Sequence, residues 1–468
     1  MTNSAIEPRP GDGPYYLRLA DGIEASIAEG ALVRGLRLPP QRNLAYDLGV
    51  TVGTVSRAYG LLRERGLVSG EVGRGTYVQT DAPDAAAAPI EAEFGGTRVH
   101  EAPAGKQRFD STAAPDVDQS AVLGPILATV MRDHPLSVAN YSRMLPEAWL
   151  KAGQTWLARN DWTPPQTDVV PTLGVHSGVL AVVAALTAPG DRIVFEALTY
   201  SQMARSVRRI GRRITIVETD DHGMVPEDFE RVCAQQHPKM AFLIPTLHNP
   251  TLAIMPEERR RQIARIAARH DVWLIEDDIY GGLSDDPTPL IATFAPERTF
   301  VVNGLSKSVA AGLRGGWVAC PPHQAQRINV THKMLTGGLP FVLTEAAARL
   351  VLSGAADDIR TRALEEIAAR QAIAAKTLEG YDFATNPCAP YIWLKLPETW
   401  LSGTFRAAAL DQDLLVDDED EYKPARLERL YHRTRIGFSS GPRAEMELGI
   451  QRLRRLLDSG DTGYDATV

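Results

Sequence analysis

One lysine in this chain stands where an amine could be kept for covalent work. Lys307 closes the run Asn303-Gly304-Leu305-Ser306-Lys307, and Arg314 follows among glycines in Gly312-Leu313-Arg314-Gly315-Gly316. A lysine amine can condense with an aldehyde and hold it as a Schiff base. If that aldehyde sits on a pyridine ring, a carboxylate is needed to keep the ring nitrogen protonated. Asp277, in Ile275-Glu276-Asp277-Asp278-Ile279-Tyr280, offers one. Tyr280 and Asn249, the latter in His248-Asn249-Pro250-Thr251, can donate to a ring oxygen, and Tyr200 can cover a ring face. A phosphate calls for a helix N-terminus and a cation. Gly174-Val175-His176-Ser177-Gly178 ahead of an apolar helical pattern supplies the first, and Arg314 the second. Arg435 carries the planar fork that clamps a carboxylate in a bidentate pair. Singly these patterns say little, since an Asn-Pro is usually a turn. Their order and spacing carry the weight.

The elements that must position them follow from periodicity. Apolar runs at 192–195, 213–217, 240–244, 272–275 and 299–302 alternate with helical patterns such as that from Pro256 to His270. Such alternation predicts a mostly parallel α/β sheet covered on both faces, with ligands at the C-terminal ends of its strands. The reactive residues fall at those ends. Beyond about residue 336, long helical patterns mix with short strands near Tyr391–Leu394 and Thr434–Phe438, which predicts a smaller α+β subdomain.

Taken together, these residues resemble the class I/II aminotransferase family, fold-type I pyridoxal-phosphate enzymes, over nearly all of 109–455. The resemblance implies pyridoxal 5'-phosphate as cofactor, with Lys307, Asp277 and Tyr280 as the catalytic set. It implies that Asn249, Tyr200, Val175, His176 and Arg314 complete the cofactor site, and that Arg435 binds the carboxylate of a substrate or effector. Tyr141 matches the tyrosine that reaches the neighbouring subunit's phosphate in that family, although the Gly expected after it is absent. Three departures stand out. Gly304 replaces the usual phosphate-binding Ser, Leu252 replaces the Gly after Asn-Pro-Thr, and Val175 lacks the hydroxyl often found there.

The first eighty residues read differently. Leu19, Ile23 and Ile27 recur at four-residue spacing and predict an amphipathic helix ending before Gly30. A short helix carries Leu44 and Leu48. A third begins at a Thr51 N-cap, with Val52, Val55, Tyr59 and Leu62 as its buried stripe and Gly53, Thr54, Ser56 and Arg57 facing out. A hairpin with a Gly-rich tip at Gly73-Arg74-Gly75 follows. Helix, turn, helix and wing suit a module whose third helix enters a major groove. The whole segment resembles the GntR-type winged helix-turn-helix. That resemblance implies DNA contacts from Arg42, Thr54, Arg57, Arg74 and Gly75, with Pro40 where the family usually has a capping Ser.

Composition sets the limits. The 468 residues are 44% hydrophobic and 23% charged, as expected of globular domains with a core. No apolar run approaches a membrane span, and no leader sequence is evident at the N-terminus. Three cysteines in no ligand spacing argue against a disulfide framework or a metal site and for a reducing, cytoplasmic setting. The net charge of -8 is uneven, with seven Arg against three acids between Arg34 and Arg74. Such a local basic excess suits a phosphate backbone.

These readings divide the chain into a winged head at 1–80, a Pro/Ala/Gly-rich linker at 81–108 and an aminotransferase-like body at 109–468. Within the body, a large subdomain spans about 140–335 and a small one about 336–457 plus the N-terminal segment. The combination resembles the MocR subfamily of bacterial transcription regulators. It implies a homodimer with exchanged heads on a double-stranded operator, nucleoid-associated when bound. Its effector would be pyridoxal phosphate, held as an aldimine at Lys307, or an amine or amino acid joined to it as an external aldimine. The alternative is a working aminotransferase that carries a DNA-binding head.

Overall fold

The computed structural model describes residues 6–11, 13–33, 36–65, 67–71, 75–78, 105–141, 145–398, 400–425 and 429–459. The chain separates into two compact units, Met1–Gly95 and Gly96–Val468.

In the first unit, helices Tyr15–Ala28, Gln41–Asp47 and Val52–Glu64 pack around Leu19, Ile23, Leu44, Val55, Tyr59 and Leu62, all of them buried. The Thr51 side chain caps the third helix by accepting from the Thr54 amide at 3.2 Å, as the sequence predicts. Val52 departs from expectation. It lies at the uncovered first turn and is 45% exposed, and Ala58 takes the fourth place in the stripe. Pro40 precedes the second helix and gives it no side-chain cap. Arg65 ties the third helix to the first through Asp21 at 2.7 Å and Glu24 at 2.5 Å. Strands Val68–Glu71 and Gly75–Val78 pair antiparallel as the wing, with Val68 opposite Val78. Arg74 and the linker through residue 104 lie outside the described residues.

The second unit is built on a seven-stranded sheet. Its order is Val169–Thr172, Gly316–Ala319, Thr299–Gly304, Trp273–Asp277, Met240–Leu243, Arg192–Glu196, Arg213–Val217. The five strands read from the sequence lie side by side and parallel. Four of them are buried on both faces, which is why they read as continuous apolar runs, while Arg213–Val217 at the sheet edge is buried on one face. Gly316–Ala319 runs antiparallel to both neighbours. Only a short connection separates it from Gly304, too short for the crossover that a parallel return requires.

Strands Phe383–Ala384, Tyr391–Lys395 and Arg433–Gly437 form the small subdomain's antiparallel sheet. The body begins sooner than residue 109. Gln107–Arg108 pairs in parallel with Leu414–Leu415, and Lys106 meets Asp413 at 2.9 Å, so the end of the expected linker is a strap on the small subdomain. No helix among the described residues is long and apolar enough to cross a membrane.

Candidate functional site

Short loops at the C-terminal ends of the sheet strands bring the reactive residues together. Asp277 ends Trp273–Asp277, Asn249 follows Met240–Leu243, Tyr200 follows Arg192–Glu196, and Lys307 follows Thr299–Gly304. Helix Gly174–Leu186 starts just beyond Val169–Thr172. Lys307, Asp277, Tyr280, Asn249, Tyr200, Val175, His176 and Arg314 all line one cavity of about 310 Å³. That volume lies at the small end of ordinary cofactor and ligand sites.

Two glycines close the loop around Lys307. A Cβ on Gly316 would come within 2.7 Å of the Gly174 Cα, so this backbone rests directly on the helix N-terminus. The contact carries Arg314, itself at φ 52°, to within 3.4 Å of the Leu173 carbonyl. A Cβ on Gly304 would meet the Gly315 carbonyl at 2.6 Å. Gly304 is therefore a packing requirement of this strand pair as well as a missing hydroxyl.

Of three consecutive acids, only Asp277 lines the cavity. Glu276 accepts from the Ile291 and Ala292 amides at 2.9 and 3.1 Å, and Asp278 accepts from the Asn303 side chain at 3.3 Å. Burial pushes the Asp277 carboxyl up to about 7, against a smaller opposing pull from the Ile279 amide and from Lys307. A cation beside it would restore the charge. His176 is held neutral, at about 4, by burial and by the nearby Arg314 guanidinium.

The Lys307 amine donates to the Thr112 hydroxyl at 3.0 Å, and Thr112 shares a 2.8 Å hydrogen bond with the Tyr280 hydroxyl. Thr112, Arg108 and Asp110 also face the cavity. They come from the strap, and no motif in the sequence marks them. Arg108 pairs with Asp110 through two hydrogen bonds of 2.9 and 2.7 Å. Leu252 adopts the left-handed φ of 65° natural to the Gly it replaces, and packs among Leu247, Ile279 and Tyr391.

Two predicted residues do not line this chain's own cavity, and one of them, Tyr141, is expected to serve a neighbouring subunit's. Arg435 does not line the cavity. It is fully buried behind Asn249, whose side-chain oxygen accepts from the Arg435 Nη1 at 2.8 Å. That bond leaves the Asn249 NH2 directed away from Arg435. Tyr141 is 92% exposed and borders a separate groove with Val138, Lys333 and Leu339. In the first unit, Arg42 and Arg57 are exposed and make no ion pair among the described residues, while Thr54 is half-buried against Thr51. Gly75 opens the second wing strand.

The cavity fits pyridoxal phosphate. An uncapped helix N-terminus beside a guanidinium suits its phosphate, and a buried carboxylate suits its protonated ring nitrogen. Among the described residues no His, Cys, Asp and Glu cluster could hold a metal ion.

Comparisons with known proteins agree with this geometry. Residues 15–78 match the gntR family of bacterial regulatory proteins, and residues 146–453 match the family described as aminotransferase class I and II. The chain is 28% identical to the uncharacterized HTH-type transcriptional regulator YdeF of Bacillus subtilis, over 95% of each chain. It is 26% identical to the vitamin B6 salvage pathway transcriptional repressor PtsJ of Salmonella typhimurium, over 80% of this chain and 84% of that one. The solved kynurenine aminotransferase of Pyrococcus horikoshii superposes with a TM-score of 0.68 at 20% identity, covering 77% of this chain and 92% of its own. That likeness concerns the fold. With a GntR-type winged head ahead of its cofactor-type cavity, the chain belongs to the aminotransferase class I and II family in its MocR-type arrangement.

Proposed function

We propose that this chain is a DNA-binding transcription regulator whose body holds pyridoxal phosphate at Lys307 and responds to that cofactor or to an amino compound joined to it. One observation carries the reading: a single cavity gathers Lys307, Asp277, Asn249, Tyr280 and Arg314 in a chain whose head presents an exposed Ser56–Arg57 helix face. When bound, the cofactor supplies an aldehyde that condenses with amines and a ring that takes up electron density.

The chain's own residues do the rest. The N–H groups of Val175 and His176, with Arg314, would hold the phosphate. Asp277 would keep a proton on the ring nitrogen, and the Asn249 NH2 and Tyr280 hydroxyl would donate to the ring oxygen. Thr112 holds the Lys307 amine at the cavity wall until it is used. The Lys307 amine could also carry a proton between carbons, as a working aminotransferase requires. That second reading rests on the same geometry and leaves the head unexplained.

A second copy of the chain fits the exposed apolar residues Leu136, Val138, Tyr141, Met334 and Leu335, near the groove that Tyr141 borders. For regulation, the signal must bind the DNA-competent and incompetent arrangements unequally.

Borohydride reduction of the protein purified with pyridoxal phosphate tests the cofactor assignment. A pyridoxyl group is expected on the peptide containing Lys307, with loss of both the label and the visible band in Lys307→Ala. Label on another lysine, or a band that survives the substitution, would overturn it.

A further inference from the structure

Arg435 has the residue type and strand position of a carboxylate clamp, yet both terminal nitrogens of its fork are already engaged, while its buried Nε has no hydrogen-bond partner among the described residues. Its Nη1 donates to the Asn249 side-chain oxygen at 2.8 Å. Its Nη2 donates to the Asp110 carbonyl at 2.7 Å and to Asp417 Oδ2 at 3.1 Å. The side chains of this pair are 1% and 0% exposed. The Tyr391 and Tyr422 rings flank the guanidinium at 5.3 and 5.1 Å.

Asp417 is held as firmly as its partner. The Tyr422 hydroxyl donates to Asp417 Oδ2 at 2.6 Å, and the Thr434 hydroxyl donates to the Asp417 carbonyl at 2.6 Å. The residues just before it, Leu414–Leu415, are pinned by pairing with Gln107–Arg108. The carboxylate on Arg435 is therefore built into the fold.

We propose that Asp417 is an internal carboxylate that occupies Arg435, so that the cavity accepts primary amines lacking a carboxylate on the amine-bearing carbon and gives α-amino acids no advantage. Arg435 and Asp417 form an ion pair that offsets its own charge, and Asn249 and Asp110, to which Arg435 is bonded, line the cavity where Arg435 does not. An incoming carboxylate would have to expel a buried, hydrogen-bonded one and strand it without its cation, which is strongly unfavourable. Arg435 is then a positioning residue. By accepting from it, the Asn249 oxygen turns its NH2 toward the cavity, where that donor is wanted. The inference rests on the assignment of Lys307 as the cofactor lysine.

The test uses the full chain loaded with pyridoxal phosphate and matched pairs, L-alanine against ethylamine and L-phenylalanine against 2-phenylethylamine. Binding is followed by the change in the visible spectrum at equal concentrations of unprotonated amine. Wild type should bind each amine at least as tightly as its amino acid. Asp417→Asn should shift the ratio toward the amino acid by about tenfold to a hundredfold, the worth of hydrogen bonds to a charged partner. A cofactor-free readout accompanies it, with excess inorganic phosphate to fill the anion site beside Arg314: maleate should raise the melting temperature of Asp417→Asn and leave that of wild type unchanged.

A tenfold preference of wild type for the amino acids would overturn the proposal, as would stabilisation of wild type by maleate. A folded Asp417→Asn with an unaltered ratio would do the same. If the variant fails to fold, the wild-type ratios and maleate melts still decide. Absence of any visible band would instead sink the Lys307 assignment, and this inference with it.

Discussion

Replacing Asp277 by Asn should stabilise the cofactor-free body at high pH while destroying its use. The carboxyl is 3% exposed, and burial raises it from its ordinary 3.8 to about 7. Each pH unit across that interval is worth about 1.4 kcal/mol, so the ionised group costs the cofactor-free fold on the order of 4 kcal/mol at pH 8. The sign follows from the raised value: the folded protein takes up this proton before the unfolded chain does, so the cost shrinks as pH falls below 7 and disappears below 4. An Asn keeps the acceptor for the Ile279 amide, now at 3.0 Å. It also buries an NH2 without a partner, for roughly 1–3 kcal/mol. The net gain at pH 8 is roughly 1–3 kcal/mol, a rise of about 1–4 °C for a body of this size. Two pH units below 7 remove about 3 kcal/mol of the wild-type cost, so the difference should close or invert by pH 5. Glu276 and Asp278 are raised by burial too and are present in both proteins, and the Asp278 charge adds to the rise at Asp277. Thermal melts of both proteins without cofactor, at pH 8 and pH 5, read this directly. A variant that melts below wild type at pH 8, or a difference that does not change with pH, would refute the reasoning.

Two other substitutions separate packing from binding. Gly304→Ser should not improve cofactor binding; its Cβ would meet the Gly315 carbonyl, and overpacking of that kind costs about 1–3 kcal/mol, visible as a lower melting temperature. Arg57→Ala should weaken operator binding and, if the guanidinium meets a phosphate, reduce the slope of log affinity against log salt by about one, measured by fluorescence anisotropy.

The sequence made some parts of this molecule legible and hid others for physical reasons. Strands buried on both faces announce themselves as apolar runs, and the residues at their ends inherit positions from the sheet. Asp277, Asn249 and Lys307 were readable in that way. Thr112 was not, because it meets Lys307 across 195 residues of chain and sits in a strap whose register depends on Leu414–Leu415. The state of Arg435 was hidden too. Its residue type suggests an open fork, and only the packed small subdomain reveals that Asp417 fills it. Val52 misled because helical spacing alone does not say where a neighbouring helix stops covering the stripe.

The central claim is that the cofactor site and the DNA-binding head act on one another. It is tested most directly by measuring operator affinity of the full chain while pyridoxal phosphate is titrated, at fixed salt, for wild type and Lys307→Ala. A coupling of about 1–3 kcal/mol, or roughly 5- to 150-fold in affinity, is predicted for wild type and none for Lys307→Ala. Sequence-specific affinity that is the same with and without cofactor in the wild type would contradict the account.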